Sequence, residues 1–289
     1  MFYSPLRYPG GKSKLAPLMQ ELIIRTGHEK GTWIEPFAGG AGIALYLLEQ
    51  GVVNQIVLND ADKGIYSFWW AVLNQTDRLI RAIAQAPLTV DEWNRQKRIA
   101  TDPQCECGFE LGFATFYLNR TCRSGIVTGG LMGGVKQNER WKMDVRFNKK
   151  SLTERIEKIA NKKEFIRIAN ADASDFIQKQ LVQEKNEFLY FDPPYFEKGQ
   201  QLYSTYLRRS EHEKLANAID RFVTCDWVMT YDEAPEIRKL YANYPIRNFD
   251  LKYSVATKRT ASELIIFKDE RMVSHVKGLD PKKIHINIY

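Results

Sequence analysis

The 289-residue sequence predicts an α/β protein, a doubly wound and mostly parallel sheet broken by a long helical, basic insertion. Three observations predict it. Apolar runs at 32–35 and 55–60 flank a glycine-rich turn and a helical stretch, the strand–turn–helix–strand order of a nucleotide-binding unit. A further apolar run at 188–191 stops at Asp192-Pro193-Pro194-Tyr195. Between these two signatures, over residues 76–163, the alternation of strands and helices lapses.

The chain opens on Arg7-Tyr8-Pro9-Gly10-Gly11-Lys12. Two glycines after a proline let a backbone approach a ligand closely. The Gly-x4-Gly-Lys-Ser/Thr spacing of a phosphate loop is absent, which disfavours nucleotide hydrolysis. A plain turn with a surface lysine is the alternative. Leu15, Leu18, Met19, Leu22 and Ile23 then recur at helical spacing over 13–25.

Residues 32–35 read as a strand, Pro36-Phe37-Ala38-Gly39-Gly40-Ala41-Gly42 as the turn, and 43–50 as a helix ending at Gly51. The turn does not match G-x-G-x-x-G, so a dinucleotide fits poorly. The next strand, 55–60, ends in Asp60, eighteen residues beyond Gly42. An acid at that place holds ribose hydroxyls. Asp62 is read as the cap of a helix over 63–74. A nucleoside-like cofactor is therefore expected in the first βαβ unit.

Helices are expected over 77–85, 90–100 and 109–118. Asn119-Arg120-Thr121-Cys122-Arg123-Ser124-Gly125 follows, then Gly129, Gly130, Gly133 and Gly134. Lys136, Arg140, Lys142, Arg146, Lys149 and Lys150 surround Trp141. Cations interleaved with glycines and an aromatic suit a surface that tracks a nucleic-acid backbone. A solvated basic loop is the plainer alternative.

The alternation resumes with a strand over 164–169, Asp172 just beyond it, a helix over 175–181 and the strand 188–191. The paired prolines end that strand on a stiff platform, because each fixes φ and lacks an N–H. Asp192 and the Pro193 carbonyl can both accept from one NH2 group, and Tyr195 can stack on the ring that carries it. Enzymes that modify a base need those groups once the base has left the helix. A turn with a capping aspartate is the bland alternative. An amphipathic helix over 211–222 and strands at 227–230, 246–251 and 264–267 complete the sheet. The basic tail, 271–289, has no assigned role.

Net charge is +7 and the isoelectric point about 9.1, which favours a polyanionic partner. No apolar run approaches the ~18 residues of a membrane span. The N-terminus lacks a signal-peptide core, so a cytoplasmic location is expected. Cys105, Cys107, Cys122 and Cys225 show no zinc spacing, and no metal is expected.

In this order, these motifs resemble the DNA adenine methylase (Dam-like) family of N6-adenine DNA methyltransferases. Arg7–Lys12 looks like its amino-terminal motif and 35–42 its glycine motif. Asn59-Asp60 looks like its ribose acid and 192–195 its catalytic tetrapeptide. Tyr117-Leu118-Asn119-Arg120 and the stretch from Lys258-Arg259 to Glu263-Leu264 also look familiar. The resemblance implies S-adenosyl-L-methionine as methyl donor. It implies a Rossmann-like methyltransferase fold with a mixed, mostly parallel sheet and an inserted, mainly helical target-recognition domain. On that reading 1–75 and 164–270 form the catalytic domain, 76–163 the recognition insert and 271–289 the tail.

By the same resemblance Asp192, Pro193, Pro194 and Tyr195 are catalytic. Tyr8 and Lys12 contact the methionine part of the cofactor, Phe37 and Gly39 line it, and Asp192 faces it. Asp60 holds the ribose and Asp172 bonds the cofactor adenine's amine. Asn119, Arg120, Arg123, Lys136, Arg140 and Arg259 are candidates for DNA contact. The run Thr121-Cys122-Arg123-Ser124-Gly125-Ile126 and the glycine pairs after it differ from GATC readers, and Ala173 stands where the family often has an aromatic. The target sequence is thus left open. The implied activity is sequence-specific methylation of a flipped adenine in double-stranded DNA. It is expected of a bacterial or phage protein acting as a monomer, with a restriction–modification setting and an orphan one both left open. Methylation of adenine in RNA, of cytosine N4 or of a protein glutamine are the near alternatives. A catalytically idle nucleic-acid-binding module is the distant one.

Overall fold

The computed structural model describes residues 4–7, 12–181, 186–196, 207–253, 259–276, 279 and 288, with backbone alone at 251–253 and 259–261. The strands are β1 (Thr32–Glu35), β2 (Gln55–Asn59), β3 (Ile166–Ala169), β4 (Glu187–Phe191), β5 (Asp226–Asp232), β6 (Ile246–Tyr253) and β7 (Arg259–Phe267). They form one sheet in the order β3-β2-β1-β4-β5-β7-β6. The first five run parallel, and β7 is antiparallel to both β5 and β6. This is the Rossmann-like, mostly parallel sheet that the sequence predicts.

Strand order reverses between β1 and β4, which lie side by side with Ile34 opposite Leu189. Ligands of such sheets bind in the crevice outside the carboxyl ends of the strands at this reversal. Two stretches 150 residues apart in the chain, the glycine turn after β1 and the Asp-Pro-Pro-Tyr after β4, therefore meet at one edge. The helices leave both faces of the sheet buried, so side chains alternate between two cores. Trp33, Phe188, Tyr190, Val228, Ile265 and Phe267 enter one. Ile34, Leu189, Phe191, Trp227, Met229 and Ile266 enter the other. Trp33 stacks on Phe188 at 5.5 Å between centroids and on Tyr190 at 5.6 Å, locking β1 to β4 directly beneath the reversal.

The first core is completed by α1 (Ala16–Thr26), α2 (Gly42–Glu49) and α3 (Lys63–Asn74). Beyond α3 come α4 (Thr76–Gln85), α5 (Val90–Thr101), α6 (Phe109–Thr121) and α7 (Lys149–Ala160), all before β3. Helix α6 lies along α3, with Phe116 stacked on Phe68 at 5.6 Å. Gly112 makes that approach possible, since a Cβ there would sit 2.4 Å from the Ser67 carbonyl oxygen. The second core is covered by α8 (Ala173–Lys179), α9 (Arg209–Phe222) and α10 (Pro235–Leu240). Helix α11 (Glu270–Val276) returns to pack on α1.

Several boundaries differ from the sequence reading. Strand β3 starts at Ile166, after a 3-10 turn over Lys163–Phe165. Helix α8 begins two residues early because the Asp172 side chain accepts from the N–H groups of Ser174 and Asp175. Strand β7 starts at Arg259, five residues before the apolar run. Helix α7 has no counterpart in the sequence reading, whose basic stretch ends at Lys149 and Lys150. Its Leu152, Ile156 and Ile159 are buried at helical spacing, and Asn148 caps it through the Ser151 N–H.

Candidate active site

At the carboxyl end of β4 the chain leaves the sheet at Asp192. The Thr230 hydroxyl of β5 donates to Asp192 Oδ1 at 2.9 Å, and the Tyr190 hydroxyl lies 2.8 Å from Thr230 Oγ1. Oδ2 makes no hydrogen bond among the described residues, and the side chain keeps 22% exposure. The carboxylate is thus anchored by one oxygen and offers the other. Burial raises its pKa to about 6; the Lys12 ammonium and the Thr230 bond oppose that rise.

The Lys12 side chain is 1% exposed, and its ammonium donates to the Tyr195 hydroxyl at 2.6 Å. It also pairs with Glu263 Oε2 at 2.7 Å and lies 3.9 Å from Asp192 Oδ1. The Tyr195 hydroxyl donates to Glu263 Oε1 at 3.1 Å, and the ammonium sits 4.7 Å from the Tyr195 ring centroid. Lys12, which the resemblance puts at the methionine end of a cofactor, therefore has its ammonium on the Asp-Pro-Pro-Tyr platform. The phenol of Tyr195 is held by two ionic groups. The Phe196 N–H just beyond donates to Asp232 at 2.8 Å, which fixes the exit of the loop.

Across the strand reversal, the turn after β1 is built on left-handed residues, Gly39 at φ 45° and Ala41 at φ 48°. They fold the chain back so that α2 starts directly at the strand end. Glu35 braces this turn. Its Oε1 accepts from the Ala44 N–H at 3.1 Å and the Trp33 indole at 2.9 Å. Burial pushes Glu35 up to about 8. Asp60, at the end of β2, accepts from the Gly39 N–H at 2.8 Å through Oδ2 and from the Asp62 N–H at 2.9 Å through Oδ1. Burial, with Asp62 nearby, raises it to about 7. Asn59 ties the two loops together, donating to the carbonyls of Pro36 and Ala171. Phe37 is half-buried beside the second core.

The other candidates are spread more widely. Asp172 caps α8 and pairs with Lys214 at 3.1 Å. Asn119 corrects the sequence reading. It is 1% exposed, and its amide is committed to Arg7 N, Arg7 O and the Gly125 carbonyl, so it braces the chain and presents nothing to DNA. Arg120 donates to the carbonyls of Arg146 and Pro5. Burial and the nearby Arg7, Arg155 and Arg146 lower it to about 9. Arg123 is exposed and pairs with Glu139 at 2.6 Å, while Lys136 is exposed. Arg140 covers the Trp141 ring at 5.0 Å, and that indole is 57% exposed. The Arg259 side chain and all of Tyr8 lie outside the described residues.

Thr230, Tyr190 and Glu263 are site residues that motif reading gave no role. Glu263 alone left a signal, an acid inside the strand run Ser-Glu-Leu-Ile-Ile-Phe. Among the described residues, no group of three or more His, Cys, Asp or Glu side chains could hold a metal, and no helix is long and apolar enough to cross a membrane.

The chain is 25% identical over 207 residues to the Type II methyltransferase M.MjaIII of Methanocaldococcus jannaschii, covering 66% of this chain and 68% of that protein. Two solved structures of the rRNA methyltransferase aviRa from Streptomyces viridochromogenes superpose with TM-scores of 0.40 and 0.41 at 15% identity, covering 95% of this chain and 90% of theirs. Likeness that loose carries no argument about substrate. The model of D12 class N6 adenine-specific DNA methyltransferases matches residues 8–255, and the chain belongs to that family.

Proposed function

We propose that this adenine-specific DNA methyltransferase takes its methyl group from S-adenosylmethionine and places it on N6 of an adenine rotated out of a specific duplex sequence. The observation that carries the reading is the Asp192 carboxylate, anchored through Oδ1 and open at Oδ2, at the strand reversal beside the glycine turn.

The residues across the reversal fit the cofactor. Each oxygen of Asp60 accepts one backbone N–H, which leaves a lone pair on each for a pair of ribose hydroxyls. Gly39, Phe37 and the start of α2 line the same turn, and Tyr8 and Asp172 are proposed contacts at its two ends. When bound, the cofactor supplies a methyl group on a sulfonium sulfur that departs as a neutral thioether.

Asp192 Oδ2 and the Pro193 carbonyl would accept the two N6 hydrogens of the extruded adenine. An amine conjugated with its ring is a weak nucleophile. Two fixed acceptors favour the pyramidal nitrogen that bonding requires and stabilise the positive charge growing on it. Asp192 can then hold the proton that N6 sheds. Pro194 keeps the platform stiff, and Tyr195 gives the base a ring to lie against. Arg123, Lys136, Arg140 and Arg259 are the proposed DNA contacts, with Arg120 bracing their loop. The proposed division of labour follows the chain, with 1–75 and 164–270 performing transfer and 76–163 recognition. The Type II relative supports a restriction–modification setting, in which one subunit acts on each target. The test is to incubate the protein with labelled cofactor and a mixture of duplex DNA and RNA, digest part of each separated polymer to nucleosides and map the modified positions in the rest by sequencing. N6-methyladenine at one recurrent sequence is expected. Label confined to RNA, or absent, would refute the reading.

A further inference from the structure

Glu263 is the residue whose place the reaction does not yet explain. It is 3% exposed on β7, between β5 and the edge strand β6, opposite Asp232 on β5 and Phe249 on β6. A charge so deep is costly unless paired. One of its oxygens holds the Lys12 ammonium at 2.7 Å and the other accepts from the Tyr195 hydroxyl at 3.1 Å. The same ammonium lies 3.9 Å from Asp192 Oδ1. Lys12 thus stands between two carboxylates and is drawn to Glu263, not to the catalytic one.

That asymmetry matters for an amine substrate. An ammonium seated on Asp192 would compete with the adenine amine for the same oxygens. It would also put a positive charge where positive charge must develop. With Glu263 present, Lys12, Glu263 and Asp192 together carry one net negative charge when all are ionised, which suits a cationic transition state. We propose that Glu263 is a positioning residue of the amine pocket. Its carboxylate clamps the Lys12 ammonium to the Tyr195 phenol and so keeps that cation off Asp192, leaving Asp192 to the substrate. This inference rests on the reading that Asp192 receives the adenine amine.

Glu263→Gln tests it, because the amide keeps the size and the acceptor for Tyr195 but loses the hold on Lys12. The groups that bear on Asp192 are Lys12, Glu263, Glu35 of β1, Tyr190 of β4 and Thr230 and Tyr231 of β5. Removing the Glu263 charge and letting Lys12 approach both favour the Asp192 anion, so the acidic limb of the single-turnover profile moves to lower pH. The expected result is a drop in kcat of roughly ten-fold or more with KM for DNA little changed, together with that shift. Glu263→Asp, which keeps the charge, recovers most of the rate.

Wild-type kcat with an unmoved acidic limb in Glu263→Gln overturns the proposal. So does an equal loss in both variants without a limb shift, which is what a packing role would give. Should Glu263→Gln not fold alone, the comparison moves to a Lys12→Met background. There the proposal requires Glu263→Gln to change the single-turnover rate by less than roughly three-fold, and a further ten-fold loss overturns it. A wild-type protein that methylates no adenine would instead refute the functional reading itself.

Discussion

Removing the Asp192 carboxylate should separate binding from chemistry. In Asp192→Ala, Thr230 keeps Tyr190 at 2.8 Å and Lys12 keeps Glu263 at 2.7 Å, so the neighbours retain partners and the site should stay folded. The proposed DNA-facing side chains, Lys136, Arg140 and Arg123, belong to the loop between α6 and α7, and none of their recorded contacts involves Asp192. What disappears is one charge-assisted hydrogen bond to the amine and the anion that faces the growing positive charge. Fixed groups of that kind are worth about 3–4 kcal/mol in the transition state, or roughly 10²–10³ in rate. The Pro193 carbonyl remains and should leave a measurable residue of activity. The assay is single-turnover transfer of labelled methyl groups to duplex DNA, with duplex affinity and a thermal melt measured on the same preparation. A rate within about three-fold of wild type would refute the mechanism. A loss of DNA affinity as large as the loss in rate, and not just the roughly ten-fold share owed to the amine contact, would show that Asp192 belongs to recognition.

Three other outcomes follow from the site. Cofactor affinity should rise with pH through about 7, because Asp60 is held up to about 7 by burial and accepts hydroxyls best when ionised; a flat pH profile by calorimetry, or the same slope in Asp60→Asn, would contradict this. Glu35 has a raised pKa, about 8 against the ordinary 4.5, so between those values the unfolded chain releases its proton first and folding stability falls as pH rises. Glu35→Gln should therefore show a flatter melting temperature from pH 5 to about 8 than wild type, and an unchanged slope would count against it. Trp141→Ala should weaken duplex binding by about 1–3 kcal/mol if the exposed indole stacks on a base, and Arg140→Gln should lower the salt dependence by about one phosphate contact; unchanged affinity and slope in both would remove this loop from the interface.

The sheet and its strand-end site were legible in the sequence because their signals are local. A glycine turn between an apolar run and a helix, an acid closing the next run, and two prolines after a third each have a backbone cause. Where Lys12 would point was not legible. Its partners Tyr195 and Glu263 lie 183 and 251 residues away, and only the antiparallel insertion of β7 beside β5 brings Glu263 to the platform. Asn119 misled for a related reason. A polar side chain next to arginines reads as a contact residue, yet the carbonyls of Arg7 and Gly125 fold back onto it and claim its amide. Helix α7 was obscured by its lysines, since Lys149 and Lys150 continue a basic run while Leu152, Ile156 and Ile159 supply the buried stripe. Local charge outweighed period, although the period decides which face is buried.

The account is tested most directly by asking whether Asp192 feels the amino group itself. Two duplexes would be compared, one with adenine at the methylated position and one with purine, which lacks only that group. The preference of the wild type for the adenine duplex should fall roughly ten-fold in Asp192→Ala, a difference typical of a hydrogen bond to a charged partner, with the Pro193 carbonyl keeping the remainder. A preference for adenine over purine that is the same in wild type and in Asp192→Ala would contradict the claim that this carboxylate receives the adenine amine.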